Sequence, residues 1–421
     1  MTQPHVPQNE PSVETPVGPF ALSRNVWVVT LTSFLTDVSS EMIASVLPLY
    51  LSNVVGARTA AIGLIEGVAE TTASLLKVFS GWFSDRIGRR KGLAVAGYGI
   101  STLAKACLLA AATWPTVLIC RFGDRVGKGI RTAPRDALIA DSTPASRRGL
   151  AFGLHRAGDT AGAVVGLLVA LGLAWASATG PRVTQAFFST LTLLCIVPAI
   201  LAVLVLALFA TEPVSRRAAG ALPRFRLDPF TPSFRRYLWV VVVFTLGNSS
   251  DAFLILRAQS LGLSVIGVMA MMLCFNVVYS LVSGPAGALS DRLGRRRLIV
   301  AGWVVYALIY VGFAFATTPA HAWILMVIYG LYYGLTEGSA KAYVADLVDP
   351  SQRGTAFGVY HAAVGIAALP ASLLAGVVWQ GLGSWPGFGP SAPFLLGAGL
   401  AMLAIVGLLL LVPPVTAREP H

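Results

Sequence analysis

The chain has 421 residues, 55% of them hydrophobic and 12% charged, with a formal net charge of +12 and a mean hydropathy of +0.72. A soluble domain carries about 25% charged residues, so the composition excludes an ordinary water-soluble globule and points to a bilayer.

Residues 1–23 contain no Lys or Arg. They lack the basic start of a signal peptide and read as a disordered, uncleaved tail. Twelve apolar stretches of membrane-spanning length follow, at 25–51, 59–82, 92–112, 115–141, 149–176, 184–210, 237–260, 264–288, 298–316, 321–346, 354–380 and 391–413. The expected organisation is a six-helix bundle over 24–211, a polar Pro- and Arg-containing linker over 212–236, a second six-helix bundle over 237–413 and a tail over 414–421. Basic residues crowd the loops on one side, as at Arg86, Arg89, Arg90 and Lys91 and again at Arg292, Arg295, Arg296 and Arg297; the other side holds Arg58, Arg182 and, at its border, Arg257. By the positive-inside rule both termini are expected in the cytoplasm, in a multi-pass protein of the cytoplasmic membrane. This distribution also argues against a nucleic-acid partner. The four cysteines all fall within apolar stretches and read as small fillers, and the five scattered histidines suggest no metal cluster. "RVGKGIRT" has a GK pair without the spacing of a phosphate-binding loop, and no nucleophile–base set is apparent. Neither a cofactor nor an enzyme activity is expected.

The chain repeats itself. "GWFSDRIGRRK" at 81 returns as "GALSDRLGRRR" at 287, an offset of 206 residues. "ADSTPASRRGLAFGLHRA" at 140 returns as "ADLVDPSQRGTAFGVYHA" at 345, an offset of 205. "DVSSE" at 37 matches "GNSSD" at 247, an offset of 210. Two homologous halves follow, with a substrate site expected between them near the bilayer midplane.

The duplicated "GxxSDRxGRR" loop resembles the signature loop of the major facilitator superfamily, and the resemblance covers essentially the whole chain. "FLTDVSSEMI", "GLIEGVAETTASLLKVFSGW" and "RVGKGIRTAPRDALIAD" are further similar to a prokaryotic branch of that superfamily. The resemblance implies an all-α integral membrane fold of twelve helices in two pseudo-symmetric bundles. It also implies a functional monomer and a gating latch formed by Asp85, Arg86 and Arg89, repeated by Asp291, Arg292 and Arg295. The alternative for those loops is plain topogenic charge. "GDTAGAVVGLL" supplies glycines at 158, 162 and 166, but Leu167 stands where the superfamily's antiporter signature has Pro.

Charges inside the spans carry the functional reading. Asp37 and Glu41 share one face of the first span at i and i+4. A charge at the bilayer centre costs about 2.5–3.5 kcal/mol on insertion scales, so these acids require partners or a wet cavity. The fourth span carries a basic stripe, Arg121, Arg125, Lys128 and Arg131, broken by Asp124. In the superfamily these two spans are neighbours, and depth at about 1.5 Å per residue matches Glu41 to Arg121 and Asp37 to Arg125. Glu66, Glu70 and Lys77 follow in the second span, Lys105 in the third, and His155, Arg156 and Asp159 in the fifth. The second half is sparser: Asp251 stands opposite Glu41 in the repeat, Asn276 opposite Glu70 and Ser283 opposite Lys77, with Glu337 and Lys341 in the tenth span. The candidate coupling and cavity charges are therefore Asp37, Glu41, Glu66, Glu70, Arg121, Asp124, Arg125, Lys128 and Asp251. Candidate substrate contacts are Arg125, Asn248, Asn276, Tyr332 and Glu337. A purely structural ion-pair network remains the alternative, and the tyrosines of the tenth span read equally as packing.

The expected function is proton-coupled secondary transport of a small molecule, with export first. Uptake of an anionic metabolite or siderophore, lipid flipping and a non-transporting receptor stand as alternatives.

Overall fold

The computed structural model of the protein describes residues 22–144, 147–177, 179–212, 227, 230–349 and 352–413; within these, the side chains at 85, 284, 287, 288, 290 and 291 are not described. The expected tails over 1–21 and 414–421, and linker residues 213–226, lie outside the described residues. The first half comprises α1 (Arg24–Ala44), α2 (Leu47–Asn53), α3 (Thr59–Ile87), α4 (Arg90–Cys107), α5 (Trp114–Asp141), α6 (Arg148–Ala176) and α7 (Gln185–Phe209). The second comprises α8 (Pro232–Gly247), α9 (Ala252–Ser260), α10 (Val265–Leu293), α11 (Arg295–Phe315), α12 (Pro319–Leu347), α13 (Arg353–Gln380) and α14 (Ala392–Leu411).

The twelve expected spans are all present, but the first and the seventh are each broken in two. Pro48 sits at the start of α2; its ring lacks an N–H and would clash with the carbonyl four residues back, which is that of Ala44. The helix therefore stops at Ala44 and restarts at Leu47. In the seventh span "NSSD" (Asn248 to Asp251) separates α8 from α9. These residues favour side-chain bonding to local backbone over helix, and the Ser250 hydroxyl accepts from the Ala252 N–H at 3.2 Å. The breaks fall in corresponding spans of the two halves, the first span and the seventh, but not at the same position: at the offset of 210, residues 248–251 match 38–41, a few residues before the first break.

Nine stretches are long and apolar enough to cross a bilayer, among the described residues. The other three long helices, α3, α5 and α12, are made less apolar by charges within the span, among them Glu66 and Glu70, Arg121 to Arg131, and Glu337 with Lys341. Large apolar side chains of α7 and α14, such as Leu193, Leu208, Leu403 and Leu410, are exposed and form lipid-facing surface.

In the first half α1 packs on α6 and α7, and α5 on α3 and α4; in the second, α12 packs on α10 and α11, and α14 on α8 and α11. The halves meet along α3 with α13 and along α6 with α10, two contacts related by the internal repeat. Small residues make the first one close. A Cβ on Gly63 would meet the Ser372 carbonyl and one on Gly376 the Thr59 carbonyl, and the Thr71 hydroxyl donates to Gly365 O at 2.5 Å. At the end of the bundle away from Arg24, the Arg58 guanidinium reaches Gly383 O at 3.2 Å and Gln259 reaches Pro181 O at 3.2 Å. The two halves are joined there.

Candidate functional site between the halves

A cavity of about 460 Å³ lies between the halves. Both helix breaks reach it: Ala44, Ser45 and Pro48 line one wall, Asn248 to Ala252 the other. A broken helix leaves terminal carbonyls and N–H groups without intrahelical partners, and membrane proteins tolerate such backbone only where it lines a cavity or is buried in protein. The Gly247 carbonyl accepts from the Tyr306 hydroxyl at 2.9 Å, which ties the end of α8 to α11.

Of the residues singled out in the sequence, Glu41, Glu66, Glu70, Arg121, Asn248, Asp251 and Asn276 all line this cavity. Four carboxylates thus face one guanidinium. The Asn276 amide donates to Met272 O at 3.0 Å, and one Asp251 oxygen accepts from the Tyr329 hydroxyl at 2.9 Å. Arg121 is buried. It reaches Glu66 at 3.3 Å and Asp124 at 3.7 Å, and Asp124 also accepts from the Ser101 hydroxyl and lies 3.7 Å from Arg125.

The depth-matched pairs are not formed. Arg121 binds Glu66 and Asp124 rather than Glu41, and Arg125 binds Asp124 rather than Asp37. The cations around Asp37 are Lys128, Arg131 and Arg135 of α5, one to three turns past Arg125, and Lys105 of α4. The matching took each helix to start at the hydrocarbon boundary. The 28 residues of α5 extend about 42 Å against a core of about 30 Å, so its overhang slides the register.

Three expected substrate contacts, Arg125, Tyr332 and Glu337, lie elsewhere. Tyr332 is buried in an aromatic cluster, 5.0 Å from Tyr306 and 5.6 Å from Tyr329 between ring centroids. Tyr333, rotated one position around α12, lines the cavity with Phe275. Glu337 lies at the contact between the halves: it accepts from the Tyr279 hydroxyl, binds Lys341 at 2.8 Å and lies 3.8 Å from Arg156 of α6. Arg156 in turn donates to the Tyr279 hydroxyl at 2.5 Å. Arg125 and Lys128 face a second, smaller pocket of about 80 Å³ within the first half. Its residues Ala44, Glu41 and Arg121 line the central cavity as well.

The basic loops pair in a way the sequence reading missed. Arg90 reaches Asp141 at 3.2 Å and donates to the Ser84 hydroxyl at 2.8 Å, while Arg295 reaches Asp346 at 2.6 Å. At the loop offset of 206 Arg90 corresponds to Arg296 and Arg295 to Arg89, while Asp141 and Asp346 correspond at 205, so each half uses a different arginine of the duplicated loop to reach the matching aspartate. Each pair ties one duplicated motif to the other within its own half. The signal was that both motifs recur, each bringing an arginine-rich loop and an aspartate into the same half. Arg86 stacks over Trp82 at 5.5 Å, while Arg89 and Arg292 are exposed. The side chains of Asp85 and Asp291 lie outside the described residues.

A family model described as Major Facilitator Superfamily matches residues 29–257 and 239–421. The chain is 36% identical over 396 residues to an uncharacterised MFS-type transporter of Methanocaldococcus jannaschii, covering 93% of this chain and 95% of that protein. It is 25% identical over 326 residues to the multidrug resistance protein MdtG of Enterobacter lignolyticus, covering 74% of this chain and 75% of the relative. Among solved structures, the fold resembles a D-xylose–proton symporter with a TM-score of 0.75 at 16% identity, over 94% of this chain and 99% of that one. The nucleoside transporter NupG gives 0.73 at 14%, over 92% and 98%.

Proposed function

We propose, because this chain belongs to the Major Facilitator Superfamily and is a multi-pass membrane transporter, that it exports a small organic molecule by alternating access driven by protons. The observation that carries this reading is the central cavity, walled by both halves and carrying carboxylates from each, Glu41, Glu66 and Glu70 from the first and Asp251 from the second. A rocking motion of the halves exposes such a cavity to either side in turn. Glu41 has no hydrogen bond or ion pair with any described residue, so it is free to exchange a proton with whatever fills the cavity. Likeness to a multidrug resistance protein supports export.

The Arg-rich loops support a cytoplasmic location for the end that bears Arg24, in the cytoplasmic membrane. On that orientation the contacts of Arg58 and Gln259 close the outer side. Uptake of an anionic molecule is the second reading, favoured by the basic face of α5.

Ligand-dependent thermal stabilisation of the purified protein against a metabolite and drug panel identifies a substrate for vesicle assays. Collapsing the pH gradient with an ionophore is then expected to abolish movement against a gradient and to leave equilibrium exchange intact. Full concentrative transport without a proton gradient and without sodium would sink the proton reading, and accumulation on the loop-rich side would reverse the direction.

A further inference from the structure

We infer that the small pocket behind the central cavity binds a small monovalent anion, held by Arg125, Lys128 and Arg131. The three cations follow one another at three-residue steps on α5, which places them along one face. All three line the pocket.

Their donors are unused. The other cations of the pocket are committed: Lys105 donates to Ser39 at 2.8 Å and to Ser40 at 2.9 Å, and Arg121 is held by Glu66 and Asp124. Among the described residues Arg125, Lys128 and Arg131 donate no hydrogen bond, and the one ion pair they make is the 3.7 Å contact of Arg125 with Asp124. Arg131 is 6% exposed, and its Nη1 is fully buried without a partner. Its guanidinium lies over the Tyr98 ring at 4.5 Å, so one flat face is covered and the N–H edges remain. A guanidinium stays charged, and leaving a buried charge without hydrogen bonds is costly. An anion in the pocket supplies those bonds.

The size and charge of the ligand follow from the walls. A space of about 80 Å³ holds a halide- or nitrate-sized ion with a few waters, and not a sugar acid. Asp37 and Glu41 also line it, and neither forms an ion pair with a described cation. Counting the Glu66 that holds Arg121, the five cations Lys105, Arg121, Arg125, Lys128 and Arg131 meet the four carboxylates Asp37, Glu41, Glu66 and Asp124, which leaves room for one negative charge, and Asp37 and Glu41 repel a dianion. Glu41 and Arg121 form the partition between this pocket and the central cavity, so an anion here changes the charge that the larger site sees.

The test uses the purified full chain in detergent. Its unfolding midpoint is followed against sodium nitrate, sodium chloride, sodium acetate and sodium gluconate at equal ionic strength, with gluconate as the salt whose anion is too large to enter. Nitrate or chloride is expected to raise the midpoint with saturation, as a ligand bound only to the folded state must, and gluconate to leave it flat. Lys128→Gln, at an exposed position, and Arg131→Gln are each expected to weaken the saturating affinity about tenfold, the loss of one charged hydrogen bond. Protection by acetate equal to that by nitrate assigns the pocket to the carboxylate of a larger ligand; protection by nitrate without acetate assigns it to a free inorganic ion. The same shift in all four salts, or saturation unchanged in Lys128→Gln, overturns the site. Should Arg131→Gln fail to fold, Lys128→Gln decides.

Discussion

Arg121 shows how a charge survives inside this bundle. Its guanidinium spans two carboxylates on different helices, Glu66 of α3 and Asp124 of its own α5, and so ties α3 to α5. Breaking a buried pair by removing one partner costs about 3–5 kcal/mol, because the survivor stays buried and uncompensated. Arg121→Ala is therefore expected to lower the unfolding midpoint sharply in detergent, and Arg121→Ala with Glu66→Gln to recover part of the loss. Equal midpoints for the single and double variants would mean that the pair contributes nothing. Glu41 is the contrasting case, a carboxylate on the wall of both cavities with no described partner. Glu41→Gln is expected to leave folding and equilibrium exchange intact and to abolish movement against a gradient; retained concentrative transport would remove it from the coupling path. The sequence made both residues visible as charges in apolar stretches. It did not reveal which cation each acid meets, because pairing across helices depends on overhang and tilt that no local pattern encodes.

At the level of helices, spacing in the sequence acquires a physical meaning once the neighbours are known. Gly158, Gly162 and Gly166 of α6 face α1, where a Cβ on Gly162 would land on the Phe34 carbonyl and one on Gly166 on the Val38 carbonyl. The glycine run lets α6 lie against the backbone of α1 beside Asp37, the small-residue packing usual for membrane helices. Gly162→Ala is expected to cost about 1–3 kcal/mol by overpacking, and Gly162→Val more, as read from thermal midpoints; an unshifted midpoint for Gly162→Val would show that the helices can part freely. Across the halves, Arg156, Tyr279 and Glu337 join α6 to α10 and α12. Glu337→Gln is expected to lower the rate of cross-linking between cysteines placed at Ala157 and Ser280 in the same cleft, because the halves then part more often. An unchanged rate would show that the bridge does not hold them. The expected continuous first and seventh spans were the main miss at this scale. Pro48 was a visible breaker, but hydropathy averages over a window and does not register one missing hydrogen bond.

For the whole molecule, the internal repeat predicted two matching halves, and the structure carries the match down to a loop-to-aspartate tie in each half, made by neighbouring rather than equivalent arginines: Arg90 with Asp141 and Arg295 with Asp346. The second pair is partly exposed, so its worth in stability is about 0–1 kcal/mol, and its effect is expected in the balance between conformations. Exchanging the charges, Arg295→Asp with Asp346→Arg, is expected to restore the cavity-mouth cysteine accessibility that either single change alters; no restoration would mean that the contact is incidental. The repeat is also imperfect in an informative way, since the first half holds most of the buried charge and the second most of the aromatic rings. The two helix interruptions have an evolutionary consequence. Main-chain groups freed at a break belong to the backbone, so substituting the side chains around them leaves them in place as long as the residue that sets the break, such as Pro48, is kept. Side chains around them can drift, and with them the range of molecules accepted, while a constant set of main-chain donors and acceptors persists beneath. If the proposed cavity holds the substrate, a lineage built this way changes its cargo by a few substitutions in the chamber while the main-chain groups at the breaks stay in place.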